Sequence, residues 1–204
     1  MVSSLWPLLL LPSSLALHPS PGCGLPPPDL PRPGESLHLQ LQVEDPLLGQ
    51  VSREYRLHLP LHWDLASPAP LVLDYHWYGG SIESHVTDGH DFEGVADEEE
   101  EGGPLVVTPL GMGDYPGESW RHSWNCSSTW GPLGEMCETD REVWGEAHCF
   151  SSCSSYCEPG PALHSCEWTT CYDDVFFTER LLDQVRDWYN LHKFIIQHSF
   201  SGPS

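Results

Sequence analysis

The sequence LVLDYHWYGGS at residues 71–81 decides the fold class of this chain. Its first six residues, LVLDYH, form a short and mostly apolar run that follows Pro68 and Pro70. A run of this length without polar alternation is typical of a strand that is buried on both faces of a sheet. The residues that follow are rich in glycine and predict a tight loop at the carboxyl end of that strand.

Three more segments predict strands, one before this stretch and two after it. REYRLHL at residues 53–59 alternates polar and apolar side chains, which is the period of a half-buried strand. PLVVTP at residues 104–109 and FII at residues 194–196 are further short buried runs. The acidic run at residues 97–101 is predicted to be a solvated loop; a calcium site is the alternative, but the alternating ligands of such a site are missing.

After residue 172 the chain changes to the pattern of a helix. Asp173 or Asp174 is expected to cap its amino end, where negative charge suits the helix dipole, and Asn190 is expected to end it. Strands followed by a helix and a further strand predict the α/β class. Apolar residues recur near a period of 3.6 along this helix, with two phenylalanines adding bulk: Val175, Phe176, Phe177, Leu181, Leu182, Val185 and Trp188.

Composition and charge exclude two classes of partner. The 204 residues carry 8 Lys and Arg against 30 Asp and Glu, which gives a net charge of −22. So few cations cannot form the basic surface that nucleic acid requires, and an anionic membrane is an equally poor partner. Nine Trp, seven Tyr and six Phe supply enough aromatic side chains for a core, so a fully disordered chain is not expected.

The first residues have the pattern of an export signal. MVSSLWPLLLLPSSLAL at residues 1–17 is apolar and too short to span a bilayer with ease, and the small side chains of Ser14 and Ala16 suit cleavage after Ala16. A disordered or buried amino terminus is the alternative. We expect a secreted protein. The chain then divides into a signal peptide at 1–16, a Pro-rich arm at 17–50 that Cys23 pins, and one domain at 51–204 with a cysteine-rich insert at 120–172.

An even number of cysteines in an exported chain predicts disulfide bonds, which would stabilise the insert. Eight cysteines allow many pairings, and the sequence does not choose among them. A zinc cluster at Cys149, Cys153 and Cys157 is the alternative, but export and the absence of Cys-x-x-Cys pairs argue against it. We expect no metal and no cofactor. The eight residues are Cys23, Cys126, Cys137, Cys149, Cys153, Cys157, Cys166 and Cys171.

The sequence offers candidates for two further kinds of site. Asn125 begins the sequence NCS, which fits N-x-[ST], so it is a candidate for glycosylation. The twelve histidines are scattered and form no known metal-binding motif. A metal site at their densest group is therefore the alternative interpretation and not the expected one. That group consists of His85, Asp88, His90 and Asp91.

Four landmarks occur in order along the chain: GCG at residues 22–24 ahead of REYRLHLP, LVLDYHWYGGS, SWN at residues 123–125 and CYDDVFF at residues 171–177. Together they resemble the secreted serine esterases of the polyhydroxybutyrate depolymerase and feruloyl esterase family, which have the α/β-hydrolase fold. The resemblance covers residues 22–191. It implies an incomplete α/β-hydrolase sheet with a Cys-rich, disulfide-stabilised insert. It also implies an ester-linked polysaccharide or polyester as the substrate.

The resemblance further implies an oxyanion loop directly after the strand at residues 71–76. In these enzymes a serine attacks the ester carbonyl, and backbone N–H groups stabilise the oxyanion, one of them from the loop after the third strand. The matching residues are His76, Trp77, Tyr78 and Gly79, and Trp77 or Tyr78 would supply the N–H. Trp77 replaces the family's glycine after histidine, which predicts a crowded acyl site or a disturbed loop backbone.

The rest of an esterase site is not found in the sequence. No G-x-S-x-G occurs, and the nearest approach is QHSFS at residues 197–201, with Ser199 as the candidate nucleophile. Gln197 and Ser201 stand where the strand-to-helix turn needs glycine. Only five residues follow Ser199, too few for the helix and for the Asp and His of the triad. We therefore expect an esterase homologue that is inactive in this form. The abrupt change of pattern after Leu191 and His192 is typical of a truncated transcript, a retained intron or an incomplete gene model.

Two other functions stay open. One is a non-catalytic extracellular binding module, rich in Trp and Cys, on a remnant of a hydrolase scaffold. The other is an active hydrolase that uses an unusual constellation. Tryptophans in and near the insert either stack on a sugar or aromatic acyl group or pack against disulfides. These residues are Trp120, Trp124, Trp130, Trp144 and Trp168.

Overall fold

The computed structural model describes residues 31–64, 67–87, 91–113, 122–124, 151–153, 170–189 and 191–198. In chain order the elements are β1 (Glu35–Asp45), β2 (Gly49–Leu59), β3 (Ala69–Tyr75), α1 (Ile82–Thr87), α2 (Phe92–Glu98), β4 (Leu105–Pro109), a 3₁₀ turn (Ser151–Cys153), α3 (Asp174–Trp188) and β5 (Leu191–His198). Within these ranges no helix has both the length and the apolar character needed to cross a membrane. The signal peptide, residues 17–30 of the Pro-rich arm and most of the insert lie outside the described residues.

The strands form one mixed sheet in the order β1-β2-β4-β3-β5. β1 and β2 form an antiparallel hairpin, β2 is also antiparallel to β4, and β3 runs parallel to both β4 and β5. The predicted strands around Tyr55, Leu71 and Val106 therefore lie side by side, with Tyr55 opposite Pro109 and Leu71 opposite Leu105. The prediction of the α/β class is confirmed.

Apolar side chains cover both faces of the central strands, which explains why β3 and β4 show no regular polar alternation. On one face, Val72 and Val106 contact Ala96 of α2, with Phe92 partly buried beside them. The other face is covered by α3 and has the larger core. Because burial of one Leu or Phe side chain stabilises a fold by about 1.5–3 kcal/mol, this face contributes more to stability. Its core includes Tyr55, Leu57, Leu71, Leu73, Tyr75, Leu105, Val107, Phe177, Leu181 and Val185.

The first strand lies in the segment that the sequence pattern assigned to a Pro-rich arm. β1 occupies Glu35–Asp45 and pairs along its whole length with β2, which begins at Gly49, earlier than predicted. Asp45 closes the hairpin turn, because its Oδ1 accepts hydrogen bonds from the N–H groups of Leu47 and Leu48 at 2.9 and 3.0 Å. The end of the predicted arm is therefore part of the sheet.

Two short helices, α1 and α2, fill the connection between β3 and β4, where no helix was predicted. Asp97 lies in the last turn of α2, so the prediction of a solvated loop at residues 97–101 is wrong at its start. The Asp97 carboxylate accepts a hydrogen bond from the Leu61 N–H at 2.7 Å. Residues 98–101 are exposed, as expected for the rest of that run.

α3 begins as predicted, with Asp173 as its N-cap accepting a hydrogen bond from the Phe176 N–H at 2.8 Å. The helix ends at Trp188, and the predicted stop at Asn190 lies outside the described residues. Val175 is 39% exposed, so its predicted place in the apolar stripe is wrong. The buried stripe consists of Phe177, Leu181 and Val185.

Buried charges anchor the amino end of α3 to the β1–β2 hairpin. Asp174 pairs with Arg53 at 2.5 Å, and both side chains are almost fully buried. The Arg53 guanidinium also lies over the Phe177 ring, 4.0 Å from its centroid. The Asp173 N–H donates to Oδ2 of Asp45 at 2.7 Å. The Asp-Asp landmark therefore joins the helix to the hairpin.

The cysteine-rich insert is described only at residues 122–124, 151–153 and 170–172. Cys171 is buried and disulfide-bonded. Its N–H donates to Oγ of Ser152 at 3.1 Å, which links the 3₁₀ turn to the start of α3. The side chains of the other seven cysteines lie outside the part that the structure describes, so the disulfide network of the insert stays a prediction.

Candidate functional site at the carboxyl end of β3

The order of strand addition reverses at β3, which has β4 on one side and β5 on the other. In α/β sheets ligands bind in the crevice outside the carboxyl ends of the strands, at such a switch point. Tyr75, the last residue of β3, is the register partner of His198, the last residue of β5. The loop after β3 therefore begins beside the end of β5. The next residue in sequence is Ser199, the candidate nucleophile, which lies outside the described residues.

The loop after β3 closes on itself through two glycines. The Gly80 N–H donates to the Trp77 carbonyl at 3.0 Å, which forms a tight turn. Gly79 has a φ of 73°, a conformation that other residues rarely adopt, and its N–H donates to the His122 carbonyl at 2.8 Å. Nδ1 of His122 lies 3.1 Å from the Gly80 carbonyl oxygen. The two glycines thus let the loop turn sharply and bind residues 122–124.

The His76 ring is buried, and both of its nitrogens have hydrogen-bond partners. Nδ1 lies 2.7 Å from the Trp77 carbonyl oxygen, and Nε2 lies 2.9 Å from the Gly111 nitrogen. Because the Gly111 N–H can only donate and the Trp77 carbonyl can only accept, Nδ1 carries the hydrogen and Nε2 is unprotonated. Burial, with the nearby rings of His122 and His85, lowers the pKa of His76 to about 4, although the bond to Trp77 acts in the opposite direction. His76 is therefore a neutral imidazole at physiological pH.

Trp124, from the landmark SWN, packs against this loop. Its Nε1 donates to the His76 carbonyl oxygen at 3.0 Å. Its ring centroid lies 4.9 Å from that of His76 and, edge-on, 5.0 Å from that of Tyr75. An antiparallel bridge between Met112 and Ser123 holds the segment through N–H···O bonds of 3.1 and 3.0 Å. Two of the landmarks are therefore in direct contact, and this tryptophan is partly buried against the loop and the core.

Trp77 combines a packed side chain with a backbone N–H that has no acceptor among the described residues. The N–H groups of Gly79 and Gly80 are used within the loop and its contact with His122. The Trp77 indole lies 5.4 Å from the ring of His85 in α1. The Trp77 ring is therefore held against α1, while its backbone N–H has no acceptor in the part of the chain that the structure describes.

A buried pair of ionisable side chains lies next to the loop. Nε2 of His85 is 2.8 Å from Oδ1 of Asp74, which is in β3, and both side chains are buried. His85 belongs to the group of metal ligands that the sequence offered as an alternative, but Asp91 caps α2 instead, and Asp88 and His90 lie outside the described residues. In the described ranges no group of three or more His, Cys, Asp or Glu side chains could hold a metal ion.

A second polar cluster lies at the other end of the sheet, where α2 meets the β1–β2 hairpin. Nδ1 of the buried His58 is 2.9 Å from Oγ of Ser36, and its Nε2 is 3.0 Å from Oδ1 of Asp97. Arg56 donates to Glu93 at 2.6 and 2.9 Å, and the Ser36 hydroxyl donates to the same carboxylate at 2.8 Å. The order Ser–His–Asp is that of a catalytic triad, but an adjacent carboxylate opposes the negative charge that develops in acyl transfer. The cluster therefore serves to dock α2.

Three residues in and around the loop after β3 were not singled out by the sequence analysis. The loop residues 76–79 follow the strand as expected, whereas Ser199 and Asn125 lie outside the described residues. Gly111 has a sequence signal, because a glycine just after a predicted strand often marks a close approach of two backbones. A Cβ at Gly111 would lie 2.5 Å from the Ser123 carbonyl oxygen. Asp74 and His122 have no such signal, since their contacts join positions that are remote in sequence. The missed residues are Asp74, Gly111 and His122.

Comparisons with known proteins add no assignment. No protein-family model matches this chain, and no curated protein matches it either. A function is therefore proposed from the residues of the chain and their geometry.

Proposed function

We propose that this chain is a secreted homologue of the carboxylic-ester hydrolases of the feruloyl esterase and polyhydroxybutyrate depolymerase family. The observation that carries the proposal is the Trp77 N–H, which has no acceptor among the described residues and lies in the loop after β3, at the switch point of the sheet. In α/β-hydrolases an N–H from the loop after the third strand stabilises the oxyanion of acyl transfer. β3 is the third strand in the part of the chain that the structure describes.

The strand arrangement supports the same proposal. The nucleophile of an α/β-hydrolase follows a strand directly and sits on a sharp turn at the top of the sheet. β5 neighbours β3 in parallel register, with His198 opposite Tyr75, so that a residue after β5 begins next to the loop after β3. α3 leads into β5, as the resemblance implies for the helix before the nucleophile strand.

Contacts between the landmark motifs give further support. The loop of LVLDYHWYGGS is bound by Trp124 of SWN through its indole N–H. Asp174 of CYDDVFF is bound by Arg53 of the strand REYRLHLP. Motifs that are far apart in sequence and in contact in the fold are expected of a shared scaffold, because each stabilises the position of the next.

The chemistry of this loop is that of an oxyanion site and not of a proton shuttle. An ester carbonyl oxygen would accept a hydrogen bond from the Trp77 N–H, and the bond would strengthen as negative charge develops. His76 cannot act as the general base, because Nε2 already accepts the Gly111 N–H and Nδ1 already carries its hydrogen. With no G-x-S-x-G in the 204 residues, we propose that this chain by itself does not turn over esters.

The resemblance suggests an ester-linked polysaccharide or polyester as the ligand class, and the proposed chemistry needs no cofactor. Secretion is part of the proposal. The apolar segment at residues 1–17 supports it, and so does the buried disulfide at Cys171, since such bonds persist in oxidising compartments.

The catalytic part of the proposal is tested with the purified chain on p-nitrophenyl acetate and methyl ferulate. We expect hydrolysis at the rate of buffer alone, for the wild-type chain and for Ser199→Ala. Turnover above the buffer rate that is lost in Ser199→Ala would show that the chain is active by itself and that this part is wrong.

The oxyanion part is tested by NMR titration with ferulate, whose carboxylate accepts hydrogen bonds. We expect the Trp77 amide resonance to move in the wild-type chain, and we expect the accompanying shifts of the Tyr78 and Gly79 amides to disappear in Trp77→Pro, which lacks the N–H. Trp77→Gly is the matched control, since it removes the ring and keeps the N–H. If neither ferulate nor 3-hydroxybutyrate moves the Trp77 amide, the homologue proposal fails. Binding of xylan with no response at Trp77 would instead favour the Trp- and Cys-rich binding module.

A further inference from the structure

We propose that His76 and Trp124 are positioning residues that together orient the Trp77 N–H as a hydrogen-bond donor. The role of this N–H in stabilising an oxyanion rests on the proposed ester-hydrolase function. The contacts that orient the N–H do not depend on turnover, and the test does not measure turnover. Neither residue would touch the substrate; each would act by fixing the backbone on one side of the Trp77 Cα.

Trp124 fixes the peptide that contains the Trp77 N–H. This peptide joins His76 to Trp77, and its carbonyl oxygen accepts a hydrogen bond from Trp124 Nε1 at 3.0 Å. The described backbone has no cis peptide bond, and in a trans peptide the N–H points opposite to the C=O. The Trp77 N–H is therefore directed away from Trp124, to a side of the loop where no described residue accepts it.

His76 fixes the next peptide along the chain. Its Nδ1–H donates to the Trp77 carbonyl oxygen at 2.7 Å, and the Gly80 N–H donates to the same oxygen at 3.0 Å. Through Nε2, which accepts the Gly111 N–H at 2.9 Å, the ring also ties the loop to the segment after β4. With both flanking peptides held, φ and ψ of Trp77 are fixed, although two glycines follow in the loop. We call the two bonds of the ring the His76 clamp.

The His76 clamp requires a neutral ring. A proton on Nε2 would face the Gly111 N–H, which places a donor against a donor. The titratable groups that face the ring are His122, with 6.2 Å between ring centroids, and His85 of α1, which is itself paired with Asp74. Burial and these two histidines disfavour a positive charge on His76, so the His76 clamp persists at neutral pH.

The first test is the tautomer of His76 in the full chain with ¹⁵N-labelled histidine. At about pH 6, where an ordinary histidine is mostly charged, we expect a neutral ring with the hydrogen on Nδ1. A charged ring, or a hydrogen on Nε2, would overturn the proposal. This measurement needs no variant, so it holds even where a substitution prevents folding.

The second test measures the mobility of the Trp77 N–H in variants. Trp124→Phe keeps an aromatic ring and removes only the donor, and in this variant we expect the order parameter of the Trp77 N–H to fall from about 0.85 to below about 0.6. His76→Asn keeps a donor near the position of Nδ1, so we expect Trp77 to stay rigid while hydrogen exchange at Gly111 becomes about tenfold faster. The matched control is Trp63→Phe, because Trp63 packs on Tyr189, away from the loop. An unchanged order parameter in Trp124→Phe would contradict the positioning role.

The two proposals fail separately. A rigid Trp77 N–H and the expected tautomer, with no response to ferulate, would contradict the hydrolase proposal and support the positioning geometry. A mobile Trp77 N–H in the wild-type chain that still responds to ferulate would contradict the positioning role alone.

Discussion

The Arg53 guanidinium and the Asp174 carboxylate lie 2.5 Å apart inside the protein, with only 2% and 8% of their side chains exposed. Arg53 comes from β2 and Asp174 from the first turn of α3, so this ion pair sets where the helix begins on the sheet. Two charges taken out of water are tolerated as a pair, but either one alone lacks both solvent and a counter-charge. The position of α3, and with it the approach to β5, therefore depends on the pair.

Asp174→Ala is expected to lower the free energy of unfolding by about 3–5 kcal/mol, because it leaves the Arg53 charge buried and unpaired. Urea denaturation measures this loss. Asp183→Ala is the matched control in the same helix, since its partner Arg180 lies at 3.2 Å and both side chains are about half exposed. A loss of at most about 0.5 kcal/mol is expected there. Equal losses in the two variants would show that the buried pair does not stabilise the docking of α3.

The elements that could be predicted are those whose signal is local. β3 and β4 are short apolar runs between turn residues, and α3 has an acidic N-cap followed by an apolar stripe. β1 also has a local signal, since Leu37, Leu39, Leu41 and Val43 alternate with polar residues, but the neighbouring prolines favour an extended arm. Composition and periodicity disagree in this segment, and the structure follows the periodicity.

The elements that could not be predicted depend on contacts that are remote in sequence. α2 has seven residues, too few to be stable as an isolated helix, and it is held by Glu93 on Arg56 and by Asp97 on His58. The loop residues 76–79 could be found from their motif. The two hydrogen bonds of the His76 ring and the contact of Trp124 could not, because no sequence pattern pairs residues across such distances.

The stability of the fold is expected to decrease as the pH falls from 6.5 toward 4, because of His76. The unfolded chain takes up this proton near the ordinary pKa of 6.5, whereas burial lowers the pKa of His76 to about 4 in the folded state. The contribution is therefore complete above 6.5 and is lost as the pH falls through that window. Between pH 7 and pH 5 the wild-type chain should lose about 2 kcal/mol more than His76→Asn, which does not titrate. Urea denaturation at the two pH values measures the difference, and parallel losses would contradict the buried neutral state of His76.

The docking of α2 is expected to weaken in Glu93→Gln. Burial by itself raises the pKa of Glu93, but the hydrogen bonds from Arg56 and Ser36 and the charges of Arg56 and His58 outweigh it, so the pKa lies below its ordinary value of 4.5. The stabilisation is complete above 4.5 and is lost as the pH falls through the lowered pKa. Because Arg56 is partly exposed, we expect a loss of only about 1–2 kcal/mol near neutral pH.

Glu98→Gln provides the control for this change, since Glu98 is in the same helix and exposed. Its effect should stay within about 0.5 kcal/mol. Thermal unfolding at neutral pH compares the two variants, and a Glu98→Gln effect as large as that of Glu93→Gln would mean that general charge, and not the contact with Arg56, stabilises α2.

Gly111→Ala is expected to open the contact between the loop after β3 and residues 122–124. A Cβ at this position would lie 2.5 Å from the Ser123 carbonyl oxygen and 3.0 Å from its carbon, and a backbone cannot give way as a flexible side chain does. The Met112–Ser123 bridge should separate, at a cost of about 1–3 kcal/mol. Because the Gly79 N–H donates to the His122 carbonyl, hydrogen exchange at Gly79 should become faster.

Gly49→Ala separates this steric effect from backbone strain, since Gly49 has a φ of 77° and nothing within 4 Å of an added Cβ. It should cost about 1–2 kcal/mol and leave exchange at Gly79 unchanged. If Gly79 stays equally protected in both variants, residues 122–124 are not what holds the loop.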